Sequence, residues 1–336
     1  MVTERMPLPP GKLPPTLLQS LLRFQGAPDR RVVLGPAFGE DAAVIDLGTQ
    51  YLILKSDPVT FTADEVGWYA VNVNANDVAV MGAQPAWFQA TIIVPPGSTP
   101  SVVRTIVRDI DRSARTLGIA VTGGHTEVSA AVRQPIVAGD MQGVVAREKL
   151  VTSRGARVGD AIILTKTAGI EGTSIIARTF AREARRVLGS RGQSEAARFH
   201  HRPGLSVVTE ALLAASAGTT SMHDPTEGGV AAALFELATA SHKRFVIDLE
   251  RIPVAAHTVH LCARFGLRPL GLIGSGALLL TIAAPRADSL IRTLRRRRVA
   301  ATCIGSVAAG SGVAAYQAGK RVRFIWSQRD ELTKLL

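Results

Sequence analysis

Residues 39–82 read GEDAAVIDLGTQYLILKSDPVTFTADEVGWYAVNVNANDVAVMG, and the architecture of the chain can be worked out from this segment. The segment contains seven acidic residues and a single base, Lys55, so its net charge is −6 in a chain whose net charge is +12. The acidic residues are Glu40, Asp41, Asp46, Asp57, Asp64, Glu65 and Asp77. This local excess of carboxylates predicts an acidic pocket inside a basic protein.

The acidic residues follow a pattern of predicted strands and a helix. Asp41 lies just before the apolar run 42–47, and Asp57 closes the run 51–57, so both carboxylates are predicted at strand ends. Residues 67–81 have the period of a helix. Its polar stripe is formed by Asn72, Asn76 and Asp77.

Buried carboxylates that lie close together repel one another and are costly to desolvate unless a cation compensates them. A hard divalent ion such as Mg²⁺ suits oxygen ligands and usually carries phosphates in protein sites. Each residue also has a simpler interpretation. Asp41 fits an ordinary turn, Asp57 fits a strand terminator before proline, and Asp77 fits a solvated helix position.

Three motifs in this segment resemble the N-terminal signatures of the aminoimidazole ribonucleotide synthetase (PurM-like) superfamily. They are GEDAA (39–43), SD (56–57) and NDVAVMGA (76–83). The resemblance implies an α+β fold of two domains: an N-terminal α/β sandwich that pairs in a dimer, and a C-terminal α/β domain. It also implies ATP and Mg²⁺ as cofactors.

The same resemblance assigns roles to residues of the segment. Asp41, Asp57 and Asp77 would hold the metal, and Asp77 would also be catalytic. Gly39, Asp57 and Asn76 would contribute to nucleotide binding.

A further motif, MHDPTEGG (222–229), precedes the apolar run 230–240. Asp224 in this motif is compatible with a turn residue or with a cap of the following helix. The Asp-Pro-Thr-x-Gly-Gly run resembles the hydrogenase expression/formation (HypE) branch of the superfamily most closely. By that resemblance Asp224 would be the fourth carboxylate of the metal site.

Two glycine-containing motifs complete the candidate site. Gly11-Lys12 lies on a Pro-rich arm ahead of a predicted first helix, and a lysine there fits either a phosphate clamp, which would be catalytic, or a solvated surface residue.

A buried strand from residue 119 is predicted to enter a Gly-Gly turn. The resemblance implies that this turn serves the nucleotide of a partner subunit, through Gly123, Gly124, His125 and Thr126. His125 departs from the acidic residue of the kinase and purine enzymes, and Glu127 is a possible substitute.

Composition limits the other possibilities. A hydrophobic content of 46% and the absence of an apolar run of membrane-spanning length predict a cytoplasmic globular protein. The two cysteines form no CxxC pair, which argues against a disulfide framework and a thiolate metal site. The basic run 292–298 fits a solvated helix end, and Phe199 alone accompanies the basic patch of 182–202, so a nucleic-acid partner is not favoured.

The chain is predicted to divide into an N-terminal arm and helix (1–34), an ATP- and Mg²⁺-binding dimerisation domain (35–150) and a C-terminal domain (155–336). A helix is predicted from Thr173 to about Leu188. The following residues, 189–204, are predicted to form an exposed basic loop that contains His200 and His201.

The favoured function is that of an enzyme that uses Mg-ATP to phosphorylate or activate an oxygen of an unidentified acceptor, acting as a homodimer. The acceptor would be a small molecule or a group on a protein thiol. The sequence ends Thr-Lys-Leu-Leu and lacks the C-terminal Cys on which the HypE branch carries its reacting thiol. A kinase of the thiamine monophosphate type and a basic nucleic-acid-binding module without catalysis remain as alternatives.

Overall fold

The structure, a computed structural model, describes residue 8 and residues 11–60, 62–327 and 329–335, apart from the side chain of Pro15. Most of the arm that precedes Gly11 therefore lies outside the described residues. The chain forms two compact units. The N-terminal unit comprises residues 29–35 and 41–150, and the C-terminal unit comprises the described residues up to 28, residues 36–40 and those from 151 onward. Of the segment 1–34, predicted to be a separate arm and helix, the described residues up to 28 thus group with the C-terminal unit, and residues 29–34 group with the N-terminal unit.

The N-terminal unit is built on a six-stranded mixed sheet of order β1-β2-β3-β6-β4-β5. Only β4 and β5 pair in parallel, and the other neighbours are antiparallel. Its elements are β1 (Val32–Leu34), β2 (Ala43–Asp46), β3 (Gln50–Val59), α2 (Val66–Val80), β4 (Gln84–Val94), α3 (Pro100–Leu117), β5 (Ala120–Val128) and β6 (Ile136–Ala146).

The core of this unit lies between the sheet and α2. The central strand β6 alternates buried and half-buried residues, as expected for a strand with one face against the core. Helix α2 is buried almost all round and contacts β3, β4 and β6 on one side and α3 on the other. Helix α3 is amphipathic and presents Ile106 and Ile110 to this core. The polar residues of α2 are therefore enclosed rather than solvated.

The C-terminal unit contains a seven-stranded sheet of order β13-β12-β9-β11-β7-β10-β8. Its strands are β7 (Asp160–Thr165), β8 (Ser221–His223), β9 (Arg244–Asp248), β10 (Leu279–Ala283), β11 (Ala301–Ala308), β12 (Gly312–Gln317) and β13 (Lys320–Val322). Its helices are α1 (Pro15–Leu21), α4 (Ile170–Thr179), α5 (Ala181–Ala197), α6 (Val208–Ser216), α7 (Gly229–Ala240), α8 (Ala256–Phe265) and α9 (Ala284–Arg296).

The core of the C-terminal unit is formed by β7, β9, β10, β11 and the apolar helix α7. Near the end of the chain, Trp326 stacks on Phe235 of α7, with ring centroids 3.6 Å apart and an interplanar angle of 15°. Leu332 follows in a single helical turn, Glu331–Lys334, and is fully buried. The backbone N–H of Gly228, just ahead of α7, donates to Asp330 and so ties this end of the chain to the start of that helix.

The α+β fold expected from the resemblance is confirmed, and the helix predicted over 67–81 is α2. Three local predictions are wrong. Strand β3 continues two residues beyond Asp57, because its backbone pairs with β6 as far as Val59. Strand β5 runs straight through Gly123 and Gly124 without a turn, since both pair with β4. Helix α5 continues to Ala197, where a loop was expected.

Candidate functional site

A cluster of three carboxylates and one ammonium group lies in the N-terminal unit. Asp77 of α2 is 3% exposed, Asp41 just before β2 is 8% exposed, and Asp57 projects from β3. The Nζ atom of Lys55 lies 3.0 Å from Oδ2 of Asp77 and 3.4 Å from Oδ2 of Asp57. We call Asp41, Lys55, Asp57 and Asp77 the β3/α2 cluster.

Electrostatics in the β3/α2 cluster favour the charged form of Lys55. Burial alone would lower the pKa of the Lys55 ammonium, but attraction by Asp77, Asp57 and Asp41 more than offsets this and raises its pKa. The acidic composition of residues 39–82 predicts that an external cation balances these acids. The structure shows that part of the balance comes from the chain itself, because Lys55 and Asp57 are two residues apart on one strand and point to the same side.

Asn74 fixes the geometry of the cluster. Its Oδ1 accepts the backbone N–H of Asp57 at 2.9 Å, and its Nδ2 donates to the carbonyl oxygens of Asp57 at 3.1 Å and Ala70 at 2.9 Å. A Cβ atom on Gly139 of β6 would collide with this amide, so glycine is needed there. Asn74 thereby ties the strand that carries Lys55 and Asp57 to the helix that carries Asp77. The sequence analysis missed it because the asparagine falls outside the predicted polar stripe.

The donor set of the β3/α2 cluster fits a hard divalent cation. Three carboxylates and one ammonium leave a net charge of −2, which a single Mg²⁺ would neutralise. Asn76 is fully buried on the same helix, and Asn72 donates to the carbonyl oxygen of Trp68 at 2.9 Å. Asn72 is therefore engaged in a hydrogen bond to the helix backbone, and the carboxylates are the groups suited to bind a cation.

The HDPTEGG loop of the C-terminal unit, residues 223–229, joins β8 to α7. Asp224 is fully buried in this loop. The capping alternative for Asp224 is wrong, because Gly228 occupies the N-cap position and its N–H donates to Oδ2 of Asp330 at 2.8 Å. Gly229 has a φ of +61°, and a side chain there would collide with the carbonyl oxygens of Leu270 and Leu272. The glycines are thus explained by the tight turn into α7.

Lys12 docks on the HDPTEGG loop. Its backbone N–H donates to Oε2 of Glu227 at 3.0 Å, its Nζ donates to Oγ1 of Thr226 at 3.4 Å, and the same Nζ lies 3.7 Å from Oε1 of Glu236. Oε2 of Glu236 lies 2.9 Å from Nε2 of His223. Lys12, which was predicted to lie on a Pro-rich arm, therefore has a defined place in the C-terminal unit.

Glu236 is the central residue of this network, and the sequence analysis missed it. Burial opposes its ionisation, but the Lys12 ammonium and the His223 ring lower the pKa of Glu236 to about 2. The signal was present in the sequence, because Glu236 is the one charged residue of the apolar helix α7. A lone acid in such a helix needs a partner to be buried.

Gly39 and Glu40 belong to the C-terminal unit, although Asp41 of the same motif belongs to the other. Gly39 has a φ of +79° and lies against the carbonyl oxygen of Glu236. Oε2 of Glu40 accepts the backbone N–H of Ser153 at 3.1 Å, and its Oε1 accepts from Nε of Arg154 at 2.7 Å. Within this unit Glu40 therefore has a structural role.

Two further acids of the C-terminal unit have raised pKa values. Burial raises the pKa of Glu171 to about 7, although Ser275 donates a hydrogen bond to it, and the charges of Asp330, Asp224 and Glu227 raise it further. Oε2 of Glu171 has no hydrogen-bond partner among the described residues. Burial likewise raises the pKa of Asp330 to about 6, against three backbone N–H donors.

At pH 8, Glu171→Gln is expected to stabilise the metal-free protein by about 3 kcal/mol more than it does at pH 4. In the wild type the folded pKa of about 7 lies above the ordinary value of 4.5, so the folded state binds more protons in this window and loses stability as the pH rises through it. Glutamine removes this dependence. Urea unfolding in EDTA at the two pH values measures the difference. Glu183→Gln, on α5 of the same unit, is the control, and parallel slopes for all three proteins would contradict the expectation.

The residues predicted to serve a partner's nucleotide lie on β5, an edge strand whose nine residues are all exposed. Gly124 is required by packing, because its φ is +146° and a Cβ would collide with the backbone of Ala90. Gly123 has open space around its Cα. His125 Nε2 lies 3.3 Å from Oε2 of Glu127, and Thr126 is exposed between them. His125 and Glu127, the two candidates for the role expected at position 125, therefore contact each other.

Several other residues have structural explanations. His200, predicted to be exposed, is 3% exposed, and its Nδ1 lies 2.7 Å from Oγ of Ser174. Cys262 is buried, and burial raises the pKa of its thiol to about 12, which makes it a poor nucleophile.

Within the described parts of the chain, none of the helices combines the length and the apolar character needed to cross a lipid bilayer.

Comparison with known proteins gives matches to two family models. Residues 39–145 match the N-terminal domain of AIR synthase related proteins, and residues 157–317 match the C-terminal domain of the same family. Together the two matches cover most of the chain and leave the arm and the C-terminal segment outside.

The chain is also similar to individual proteins. It is 30% identical to the carbamoyl dehydratase HypE of Cupriavidus necator over 71% of this chain and 66% of the relative. It is 28% identical to the carbamoyl dehydratase HypE of Rhodobacter capsulatus over 90% and 86%. A crystal structure of the hydrogenase maturation protein HypE in complex with ATP superposes with a TM-score of 0.73 at 23% identity, covering 87% of this chain and 90% of that one.

Proposed function

Because the chain belongs to the AIR synthase related family, we propose that it is an ATP-dependent enzyme of the HypE-like type. In this proposal it binds Mg-ATP and uses the γ-phosphoryl group to phosphorylate or activate an oxygen of an acceptor. The β3/α2 cluster carries the proposal, since buried carboxylates held in fixed geometry are the chemistry that a Mg²⁺ phosphate site needs.

We assign the metal ligands to Asp41, Asp57 and Asp77, with Asp224 of the C-terminal unit as a fourth carboxylate. Asp77 is the central ligand, because it is buried on a rigid helix. When bound, Mg²⁺ would neutralise charge on the phosphates. The chain's own contribution is to hold the carboxylates in place through Asn74 and to enclose α2 on both sides.

Lys12 is the proposed phosphate clamp. Its ammonium is anchored by Glu236 and Thr226 and keeps 34% of its side chain exposed. A lysine acts on phosphate as a point charge, so an anchored but accessible ammonium suits this role. Gly39, Asn76, Gly123, Gly124, His125 and Thr126 are proposed to line the nucleotide site.

A homodimer formed through β5 is part of the proposal. A long edge strand with unpaired backbone groups favours pairing with another chain. Val121, Val128 and the neighbouring Trp87 of β4 are 49%, 64% and 40% exposed, which gives this edge an apolar character. His125 and Thr126 would then reach the nucleotide bound by the partner.

Val121→Asp is expected to weaken self-association at least about tenfold. A twofold interface contains the substituted position of both subunits, so two new negative charges would be placed in it. Sedimentation equilibrium measures the dimer dissociation constant. Val259→Asp, at a similarly exposed position on α8 of the C-terminal unit, serves as the matched control. An unchanged dissociation constant for Val121→Asp would remove β5 from the interface.

The acceptor is proposed to be a carbonyl or amide oxygen, following the carbamoyl dehydratases to which the chain is similar. The acceptor oxygen would form a bond to the γ-phosphorus as the bond to ADP breaks. Cys262 is an unsuitable carrier for the acceptor because its thiol is buried and protonated. We propose instead that the acceptor is a small molecule or a group attached to another protein.

Calorimetric titration of ATP into the protein, with and without Mg²⁺, tests the proposal. Binding that requires Mg²⁺ is expected, and absence of binding under both conditions would overturn it. Two alternatives predict other results. A kinase of the thiamine monophosphate type would transfer phosphate to thiamine monophosphate, and a nucleic-acid-binding module would bind DNA or RNA in a salt-dependent manner without needing ATP.

A further inference from the structure

Lys55 is the single base of the acidic segment, and its side chain lies inside the β3/α2 cluster. The ammonium contacts Oδ2 of both Asp77 and Asp57, at 3.0 and 3.4 Å. Its side chain is 20% exposed, while that of Asp77 is 4% exposed. Lys55 is therefore an enclosed member of the cluster and not a surface lysine that happens to be near it.

The position of Lys55 is fixed by the backbone. Lys55 lies in the middle of β3, paired with Met141 of the central strand β6. Two residues further along β3, the backbone of Asp57 donates to and accepts from the side chain of Asn74. These hydrogen bonds tie β3 to α2. Because side chains at i and i+2 point to the same side of a strand, Lys55 and Asp57 must face α2 together. The ammonium is thus held where an external cation would otherwise bind.

We propose that the Lys55 ammonium occupies the place of one metal ion among Asp41, Asp57 and Asp77, so that this unit takes one divalent cation fewer than its carboxylates alone would hold. The inference deepens the proposed function, because it sets the metal content of the proposed ATP site. It concerns cation binding by the chain itself and can be tested without nucleotide.

Charge and ligand counting support this assignment. Within the N-terminal unit, the three carboxylates carry a charge of −3 and the ammonium reduces it to −2, the charge that one divalent ion neutralises. The count leaves out Asp224, which belongs to the other unit. The two oxygen atoms nearest to Nζ are also the atoms that a second hard cation would use. A second divalent ion would have to approach a fixed positive charge at contact distance, which is unfavourable in a partly buried site.

Titration with Mn²⁺, followed by electron paramagnetic resonance of the free ion, counts the bound cations in the absence of nucleotide. The wild type is expected to bind one Mn²⁺ tightly per chain. Lys55→Met, which keeps the length of the side chain and removes its charge, is expected to bind a second Mn²⁺ or to bind the first at least about tenfold more tightly. Lys55→Arg retains the charge and is expected to behave as the wild type does.

Lys149→Met removes an exposed lysine of the same unit and is the control for a general change in net charge. If folded Lys55→Met binds the same number of Mn²⁺ ions with equal or weaker affinity, the proposal is overturned. If Lys55→Met does not fold, the wild-type count decides alone: one tight Mn²⁺ supports the proposal, and two or more contradict it. Failure of ATP binding would affect only the proposed function, since no nucleotide is present in these measurements.

Discussion

Asp77→Asn is expected to lower the affinity for Mg-ATP at least about 100-fold. The substitution preserves size and removes one negative charge at a buried position that we assign as the central metal ligand. It also removes the closer of the two ionic contacts of Lys55. Titration calorimetry at fixed Mg²⁺ concentration measures the change, and circular dichroism confirms that the variant is folded.

Asp46→Asn is the matched control for this variant. Asp46 lies on β2 of the same unit, where its carboxylate pairs with Arg147 outside the β3/α2 cluster. The control is expected to bind Mg-ATP as the wild type does. Equal binding by folded Asp77→Asn and wild type would show that the cluster does not hold the metal of the nucleotide.

Glu236→Gln is expected to cost about 3 kcal/mol of unfolding free energy near neutral pH. The folded pKa of Glu236, about 2, lies below the ordinary value of 4.5, so the carboxylate contributes stability that is fully present above pH 4.5 and is lost as the pH falls toward 2. The difference between variant and wild type should therefore be largest at neutral pH and should shrink on acidification. Urea unfolding across this range measures it.

The same variant tests the anchoring of Lys12. Loss of the carboxylate removes the ionic partner of the ammonium, and hydrogen exchange of the segment from Lys12 into α1 is expected to accelerate. Glu227→Gln is the matched control. Oε2 of Glu227 accepts the backbone N–H of Lys12, a bond that the amide oxygen of glutamine can also accept, and the substitution leaves Glu236 in place as the ionic partner of the Lys12 ammonium. A pH-independent difference in stability would contradict the role assigned to Glu236.

The sequence alone predicted the features that depend on residues close together in the chain. Helix α2 was predicted because its period extends over fifteen residues, and the motifs around Asp41, Asp57 and Asp77 identified the fold. The pairing of Lys55 with two of these acids could also have been predicted in part, since Lys55 and Asp57 share one face of a strand. The contact with Asp77 could not, because it depends on how a helix packs on a sheet.

Features that depend on distant residues were missed for the same reason. The cap that Asp330 provides at Gly228 joins residues 102 positions apart, and the docking of Lys12 on Glu227 joins residues 215 positions apart. No local pattern contains such contacts. The helix predicted to end at about Leu188 was followed by a predicted basic loop, whereas α5 continues to Ala197 with a kink at Gly189.

The stack of Trp326 on Phe235 has an optical consequence. The other two tryptophans of the chain, Trp68 and Trp87, belong to the N-terminal unit, so Trp326 is the sole indole of the C-terminal unit. Phe235 immediately precedes Glu236 on α7, and the indole therefore rests on the helix that carries the anchor of Lys12. Its near-ultraviolet dichroism and emission should respond to rearrangements of α7, which gives this helix a built-in spectroscopic label.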